Sequence, residues 1–412
     1  MYSEDEMHPP EWISEDFFKQ ILDKAESESV QIINMQLSPG TVKNDNYASV
    51  LFRAKLRYVL CAQPAQEKCR SFIMKTGPIV DGIRKDKMSE LPLFETEVKM
   101  YTKVLPKIEA ELRAIGDETV LSPKLFHYSL EWPQCIVLED LVPEGYTTIN
   151  NRPCNLDEIK VALQKLAKLH AISFKMAKMG NDDVTTLDNH FMNTLDLETF
   201  PLLRDGVKLT KEIISDVPDL QEYLPHIEEA ERFLLPKVLE LVNSYKNGRR
   251  SGVQVLNHGD FHVKNVMVKN VNNQLKDLIL LDYQLSIFGS PAIDLHYAFT
   301  LFYSPDMRRE KMDELLYHYI THFQETLRRA KYQGHIPTIT ELRAELQEFR
   351  HWGLYMNLTL LILNYAFVDD SIELSKMVES ETDRRAYFAN SKILNELRVL
   401  LPRFLYFGYF EE

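Results

Sequence analysis

One stretch constrains this chain more than any other: His258-Gly259-Asp260-Phe261-His262-Val263-Lys264-Asn265, followed by an apolar run that ends at Leu281-Asp282. Asn265-Val266-Met267-Val268 reads as a short strand, and Asp277 through Asp282 as a second, buried one. Val271-Asn272-Asn273-Gln274 lies between them as the turn, and Asn tolerates the positive φ that tight hairpins demand. With Asn265 set opposite Asp282, the midpoint falls between Asn273 and Gln274, so the two strands close as a hairpin. Neighbouring strands lie about 4.8 Å apart, which brings an amide and a carboxylate to one open end. Asp260 sits in the loop before the first strand, free to accept the proton of an attacking hydroxyl.

Mg²⁺ is satisfied by one or two protein oxygens together with phosphate oxygens and water, and an Asn with an Asp supplies that much. The spacing therefore suits phosphoryl transfer from a nucleotide. His-x-Asp-x-x-x-x-Asn, then a hairpin and an Asp, resembles the catalytic and metal-binding core of the protein-kinase-like fold. The His-Gly-Asp form is similar to the aminoglycoside phosphotransferase and choline kinase branch, which phosphorylates small molecules. The wider chain most resembles the ecdysteroid kinase-like family, also called CHK kinase-like. The matching segments occur in family order: Asp45-Asn46-Tyr47-Ala48-Ser49, Phe72-Ile73-Met74-Lys75, Phe94-Glu95-Thr96-Glu97 through Tyr101, and Val137-Leu138-Glu139-Asp140-Leu141. Leu166 through Ala171, the loop at Asp260 and Ser290-Pro291-Ala292-Ile293-Asp294-Leu295 complete the set.

The resemblance implies an α+β, protein-kinase-like bilobal fold. Residues 1–140 would form a small β-rich nucleotide-binding lobe with an N-terminal helical extension, and 141–412 a larger, mostly helical catalytic and substrate-binding lobe. It implies ATP and Mg²⁺ as cofactors and the hydroxyl of a small metabolite, an ecdysteroid or a hydroxylated xenobiotic, as acceptor. Asp260 would be the base, Asn265 and Asp282 the metal ligands, and His262 a group near the transferred phosphate. His258 and Asp294 would brace the loop. The nucleotide would be held by Asn44, Asn46, Ser49, Lys75, Glu97 and the backbone of Glu139 to Leu141. Asn44 stands where related chains usually carry Gly, and Asn is the next-best residue at positive φ. Tyr283-Gln284 replaces the Phe-Gly that follows the metal Asp of protein kinases, and no Ala-Pro-Glu follows. Both departures favour a metabolite kinase.

The remaining chain supports this organisation. Ser14 is a helix cap, with Phe17, Phe18, Ile21 and Leu22 as the buried face. Phe52, Ala54, Leu56 and Tyr58 alternate with Arg53, Lys55 and Arg57, the mark of a strand with one wet face. A loop around Gln63-Pro64 then leads to a strand from Ser71 to Lys75. Pro92 opens a helix with the stripe Phe94, Val98, Tyr101 and Leu105, ended by Pro106. Glu97 falls on that stripe and Glu95 off it. A carboxylate on a buried face needs a cation, and Lys75 is the candidate. Asn155 caps a helix whose apolar stripe includes His170, read as a satisfied core histidine.

At 412 residues the chain can bury a sizeable core, with 45% hydrophobic and 26% charged residues. A net charge of −13 argues against a nucleic-acid partner. The apolar region Leu354–Val368 is interrupted by Asn357 and Asn364 and is shorter than the ~20 residues a membrane span needs, so it reads as a core helix. Met1 to Glu6 is acidic and lacks the order of a signal peptide. Cys61, Cys69, Cys135 and Cys154 form no CxxC pattern, which suits reduced thiols in the cytoplasm. Two other readings remain at this stage. His258, Asp260 and His262 have a spacing thinkable for a zinc hydrolase, or the fold serves as an inactive binding module for a small ligand or partner.

Overall fold

A computed structural model describes residues 9–40, 49–77, 92–187, 192, 200–246, 252–368 and 374–412. The chain divides into two compact units, Met1–Leu105 with Ser122–Thr147, and Pro106–Leu121 with Thr148–Glu412.

The first unit is built on an antiparallel five-stranded sheet of order β1-β2-β3-β5-β4. Its strands are β1 (Val30–Pro39), β2 (Val50–Leu60), β3 (Gln63–Thr76), β4 (Leu125–Ser129) and β5 (Cys135–Glu139). Helix α1 (Glu15–Glu26) covers one face, and its first turn is capped by Ser14 Oγ, which accepts from Phe17 N. The alternation in β2 holds: Phe52, Ala54, Leu56 and Tyr58 are buried among Phe18, Leu22, Phe72 and Met74. Each large side chain so buried contributes about 1.5–3 kcal/mol. The expected loop at Gln63-Pro64 is instead part of β3, which pairs with β2 from Gln63 opposite Leu60 onward. Only Cys61 and Ala62 turn the chain, because Pro64 lies on the outer, exposed stretch of the ladder where a missing N–H is tolerated.

Helix α2 (Leu93–Lys99) begins after Pro92, as its sequence predicts, but Pro106 does not end it. A wide turn over Met100–Val104 is inserted, with Leu105 N donating to Met100 O, and α3 (Leu105–Ala114) follows directly. The proline's missing donor falls where the ladder has already been widened, so the helix passes through. A short strand, β6 (Tyr146–Thr148), comes at the junction of the two units in sequence.

The second unit is mostly helical. Its long helix α4 (Leu156–Lys178) starts with a reciprocal capping box between Asn155 and Glu158. Helices α5 (Pro201–Ser215) and α6 (Leu224–Lys246) precede a set of short strands: β7 (Val255–Asn257), β8 (Val266–Val271), β9 (Gln274–Leu280) and β10 (Ile287–Gly289). β7 pairs with β10, and β8 with β9. Then come α7 (Ala292–Tyr297), α8 (Met312–Arg329), α9 (Ile339–Glu348), α10 (Arg350–Thr359), α11 (Leu361–Ala366) and α12 (Ser391–Tyr406). The apolar run 354–368 is thus core but not one helix. Asn357 Nδ2 donates to Gly353 O at 2.8 Å and Thr359 Oγ1 to Tyr355 O at 2.7 Å, side-chain competition for carbonyls that bends or breaks helices. Among the described residues no helix is long and apolar enough to cross a membrane. All four cysteines are free thiols, Cys135 and Cys154 buried, Cys61 and Cys69 exposed.

Candidate functional site

The loop that leaves β7 is pinned by one carboxylate. Asp294, in the first turn of α7, accepts from His258 N at 2.6 Å through Oδ2 and from Gly259 N at 2.9 Å through Oδ1. Its Oδ2 also meets His170 Nε2 at 3.1 Å, and His170 Nδ1 meets the Tyr319 hydroxyl at 2.8 Å. A ring nitrogen against a carboxylate must carry its proton, so Nε2 donates and Nδ1 accepts from Tyr319. His170 is the satisfied core histidine its apolar stripe predicts. Gly259 has φ +84, and a Cβ there would lie 1.8 Å from Leu285 O, so no other residue fits. The His258 ring is fully buried, 4.7 Å from the Tyr283 ring, and its Nε2 donates to Leu281 O at 2.8 Å. Burial pushes its pKa down. Tyr283 in turn donates to Leu121 O at 2.9 Å, and Leu280 N donates to the same carbonyl.

Asp260, His262 and Asn265 meet in one cluster. Asn265 Nδ2 donates to Asp260 Oδ2 and to Asp260 O, both at 2.9 Å. His262 Nε2 lies 3.2 Å from Asp260 Oδ1, and His262 Nδ1 accepts from Lys264 N at 3.2 Å. The Asp260 side chain is 21% exposed. Burial raises its pKa, but His262, His258 and the Asn265 amide together hold the carboxyl below the ordinary value. Asp260 is therefore ionised and able to accept a hydrogen bond from a hydroxyl.

The hairpin forms, and Asn272 (φ 52) and Asn273 (φ 60) make its left-handed turn. The register differs from expectation by one residue. Val266 pairs with Leu280, and Leu281 N donates to Asn265 O at 2.9 Å, so Asn265 faces Leu281 rather than Asp282. The cause is the turn, which centres on Asn272–Asn273 with Val271 paired to Gln274, one residue earlier than expected; a bulge then takes up one residue, because Lys269 pairs with Asp277 but Asn270 with Leu275, leaving Lys276 surplus. Asp282 comes one step later, with φ +62, and its charge acts on His258. With Nδ2 of Asn265 committed to Asp260, the amide oxygen is the atom left to ligate. That oxygen and the Asp282 carboxylate are hard donors of the kind Mg²⁺ takes. Among the described residues, no three His, Cys, Asp or Glu side chains gather as a metal-binding group, so the zinc-hydrolase arrangement of His258, Asp260 and His262 does not form.

In the first unit Lys75 Nζ lies 2.6 Å from Glu97 Oε2, with both residues buried at 4% and 1% exposure. Glu95 is exposed, as its position on the helix requires. Ser49 is buried just before β2, while Asn44 and Asn46 lie outside the described residues. Glu139 N donates to Lys124 O, and Leu141 O accepts from Glu144 N and Tyr146 N. Those two atoms, Glu139 N and Leu141 O, are engaged within the first unit. Sequence reasoning missed Asp140, whose buried carboxylate accepts from Arg53 Nε at 2.8 Å, Ser71 Oγ at 2.6 Å and Val142 N at 3.1 Å. The available signal was an arginine on the wet face of β2 with an acidic residue just past β5. It also missed the ring of Phe367, 4.9 Å from that of His262, for which the sequence carries no mark.

Among solved structures the chain is similar to a Plasmodium vivax ethanolamine kinase, at 15% identity over 89% of this chain and 86% of that one, with a TM-score of 0.39. It is also similar to the ADP-bound aminoglycoside phosphotransferase APH(2″)-Ib, at 13% identity over 97% and 99% of the two chains, with a TM-score of 0.33. None of the curated proteins matches the sequence. The sequence profile of the ecdysteroid kinase-like family matches residues 43–332, well over half of the chain. With its sheet-based unit, its mostly helical unit and that match, the chain has a kinase-like α+β fold and belongs to the ecdysteroid kinase-like family.

Proposed function

We propose that this protein is an ATP- and Mg²⁺-dependent phosphotransferase acting on the hydroxyl of a small molecule, with an ecdysteroid or another hydroxylated metabolite as acceptor. The observation that carries the reading is the Asp260–Asn265 pair. One amide holds the carboxylate through Nδ2 at 2.9 Å, which leaves its own oxygen for a cation. Asp260 orients the acceptor hydroxyl and accepts its proton, a role worth typically 10²–10⁴-fold. Asn265 Oδ1 and the Asp282 carboxylate hold the metal, which when bound neutralises phosphate charge. Lys75, aligned by Glu97, grips the phosphates from the unit that binds the nucleotide. His258 and Asp294 keep the loop in shape. Free thiols and the absence of a spanning helix among the described residues accord with a cytoplasmic enzyme.

The test has two stages. Mg-ATP should raise the melting temperature of the wild-type protein and of Asp260→Asn, and Asp282→Ala should lose that rise. Labelled phosphate from ATP should then reach a member of a hydroxylated metabolite panel that includes ecdysteroids, with Asp260→Asn slower by about 10²–10⁴-fold. No nucleotide-dependent shift in the wild-type protein would make it a binding module instead.

A further inference from the structure

We infer that Phe367 and His262 form a brace that fixes the carboxylate of Asp260, with Phe367 a positioning residue that acts on the reaction from the end of α11. The brace rests on the reading of Asp260 given above for its effect on turnover, but not for its existence.

The tautomer of His262 follows from its neighbours. Nδ1 accepts from Lys264 N at 3.2 Å and so carries no proton. The proton is on Nε2, which has two neighbours, Asp260 Oδ1 at 3.2 Å and Asn265 Nδ2 at 3.3 Å. Asn265 Nδ2 is itself a donor aimed at Asp260, so the imidazole proton goes to Oδ1. Each oxygen of Asp260 therefore holds one donor, His262 on Oδ1 and Asn265 on Oδ2. The plane of the carboxylate is set, and one lone pair on each oxygen is left for an incoming hydroxyl.

An imidazole makes this contact only while its ring stays turned. The Phe367 ring is 4.9 Å away and inclined at 35°, beside a histidine whose side chain is 13% exposed. Phe367 is mounted on a fixed frame. Its N donates to Leu363 O, while Asn364 Nδ2 donates to Tyr303 O at 3.2 Å. The Tyr365 hydroxyl donates to Glu396 Oε2 at 3.1 Å, and Glu396 is locked to Arg308 Nε at 2.8 Å in the core. The neighbouring Phe261 stacks on Phe302 with centroids 5.1 Å apart and an interplanar angle of 11°. Two consecutive loop residues, Phe261 and His262, thus each meet an aromatic ring from elsewhere in the second unit. Phe367 itself is only partly buried, so its loss takes little from the core.

The experiment compares full-length wild-type protein with Phe367→Ala, Phe367→Leu, Phe367→Tyr and His262→Gln. Nitrogen-15 spectra of histidine-labelled protein identify His262 by the signal lost in His262→Gln. Wild type and Phe367→Tyr should show one tautomer, bare at Nδ1 and protonated at Nε2, and both the Ala and Leu variants should show a mixture. Leu keeps apolar bulk without a ring, so it reports on the brace if Ala fails to fold. Turnover of Mg-ATP with water as acceptor should fall about 10–100-fold in kcat for Ala and Leu, with KM for ATP little changed and Tyr restoring the rate. A single wild-type tautomer persisting in both Ala and Leu overturns the brace. Mixed tautomers with unchanged kcat overturn the positioning role. Absence of turnover in wild type, with water and with the metabolite panel alike, alongside the expected spectra removes the phosphotransferase reading and leaves the brace standing.

Discussion

Replacing Asp294 by Asn should destabilise the second unit by about 3 kcal/mol. The carboxylate accepts from His258 N and Gly259 N and also faces His170 Nε2. An amide at this position can keep its oxygen on the His258 and His170 side, but its nitrogen then confronts Gly259 N, donor against donor. One hydrogen bond to a charged acceptor, worth about 1.5–3 kcal/mol, is lost, and the two that remain weaken because the acceptor is neutral. Asp294→Ala leaves all three donors buried without a partner and should cost about 5 kcal/mol. Because the chain has two units, one global unfolding curve is unsuitable. Trp352 is a clean reporter, since it is buried in the second unit while Trp12 and Trp132 belong to the first. In a Trp12→Phe, Trp132→Phe background, its fluorescence during urea or thermal unfolding follows the relevant unit alone. The Asn variant should melt roughly 5 °C lower. Amide exchange over residues 256–262 should speed up together with it. A cost below about 0.5 kcal/mol, within the usual scatter of surface substitutions, or unchanged exchange in that peptide, would refute the claim that this carboxylate holds the loop.

Two further outcomes follow from buried charge. Lys75→Met removes the ammonium 2.6 Å from the buried Glu97 carboxylate and should cost about 3–5 kcal/mol, whereas Lys75→Met combined with Glu97→Leu should recover most of it; equal stability of all three proteins in urea would show that the pair is not formed. His296 is buried with its pKa pushed down to about 4 by desolvation, so the folded state binds fewer protons than the unfolded one. Its contribution is complete above pH 6.5 and is lost as pH falls, reaching about 3 kcal/mol by pH 4. His296→Gln should flatten the melting-temperature profile across that interval, and a wild-type slope in the variant would show that the ring is not buried neutral.

What could be read from the sequence was whatever leaves a periodic or conformational mark. Asn272 and Asn273 announce a left-handed turn because few other residues adopt it, and the inward face of α2 singles out Glu97 over Glu95. A surplus residue in a strand leaves no such mark: Lys276 is a polar residue in an alternating run, yet it goes unpaired, so counting back from the turn does not give the partner of Asn265. Pro106 misleads for a related reason. The rule that proline ends a helix assumes regular i to i−4 bonding, and the wide turn at Met100–Val104 suspends that assumption just before the proline. The ring that meets His262 comes from Phe367, far along the chain, and no local pattern reports a contact of that kind.

The hairpin that carries Asn265 also has a practical consequence. Its tip is exposed, and its paired length of six residues in β8 puts the turn about 20 Å from the Asn265 end. Because the bulge absorbs Lys276 without altering the pairing of Val266 with Leu280, the ladder already buffers a change of length near its tip. Asn272–Asn273 is therefore a natural port for splicing in a fluorophore or affinity sequence. Lengthening a closed loop there adds only about 0.6 kcal/mol per doubling.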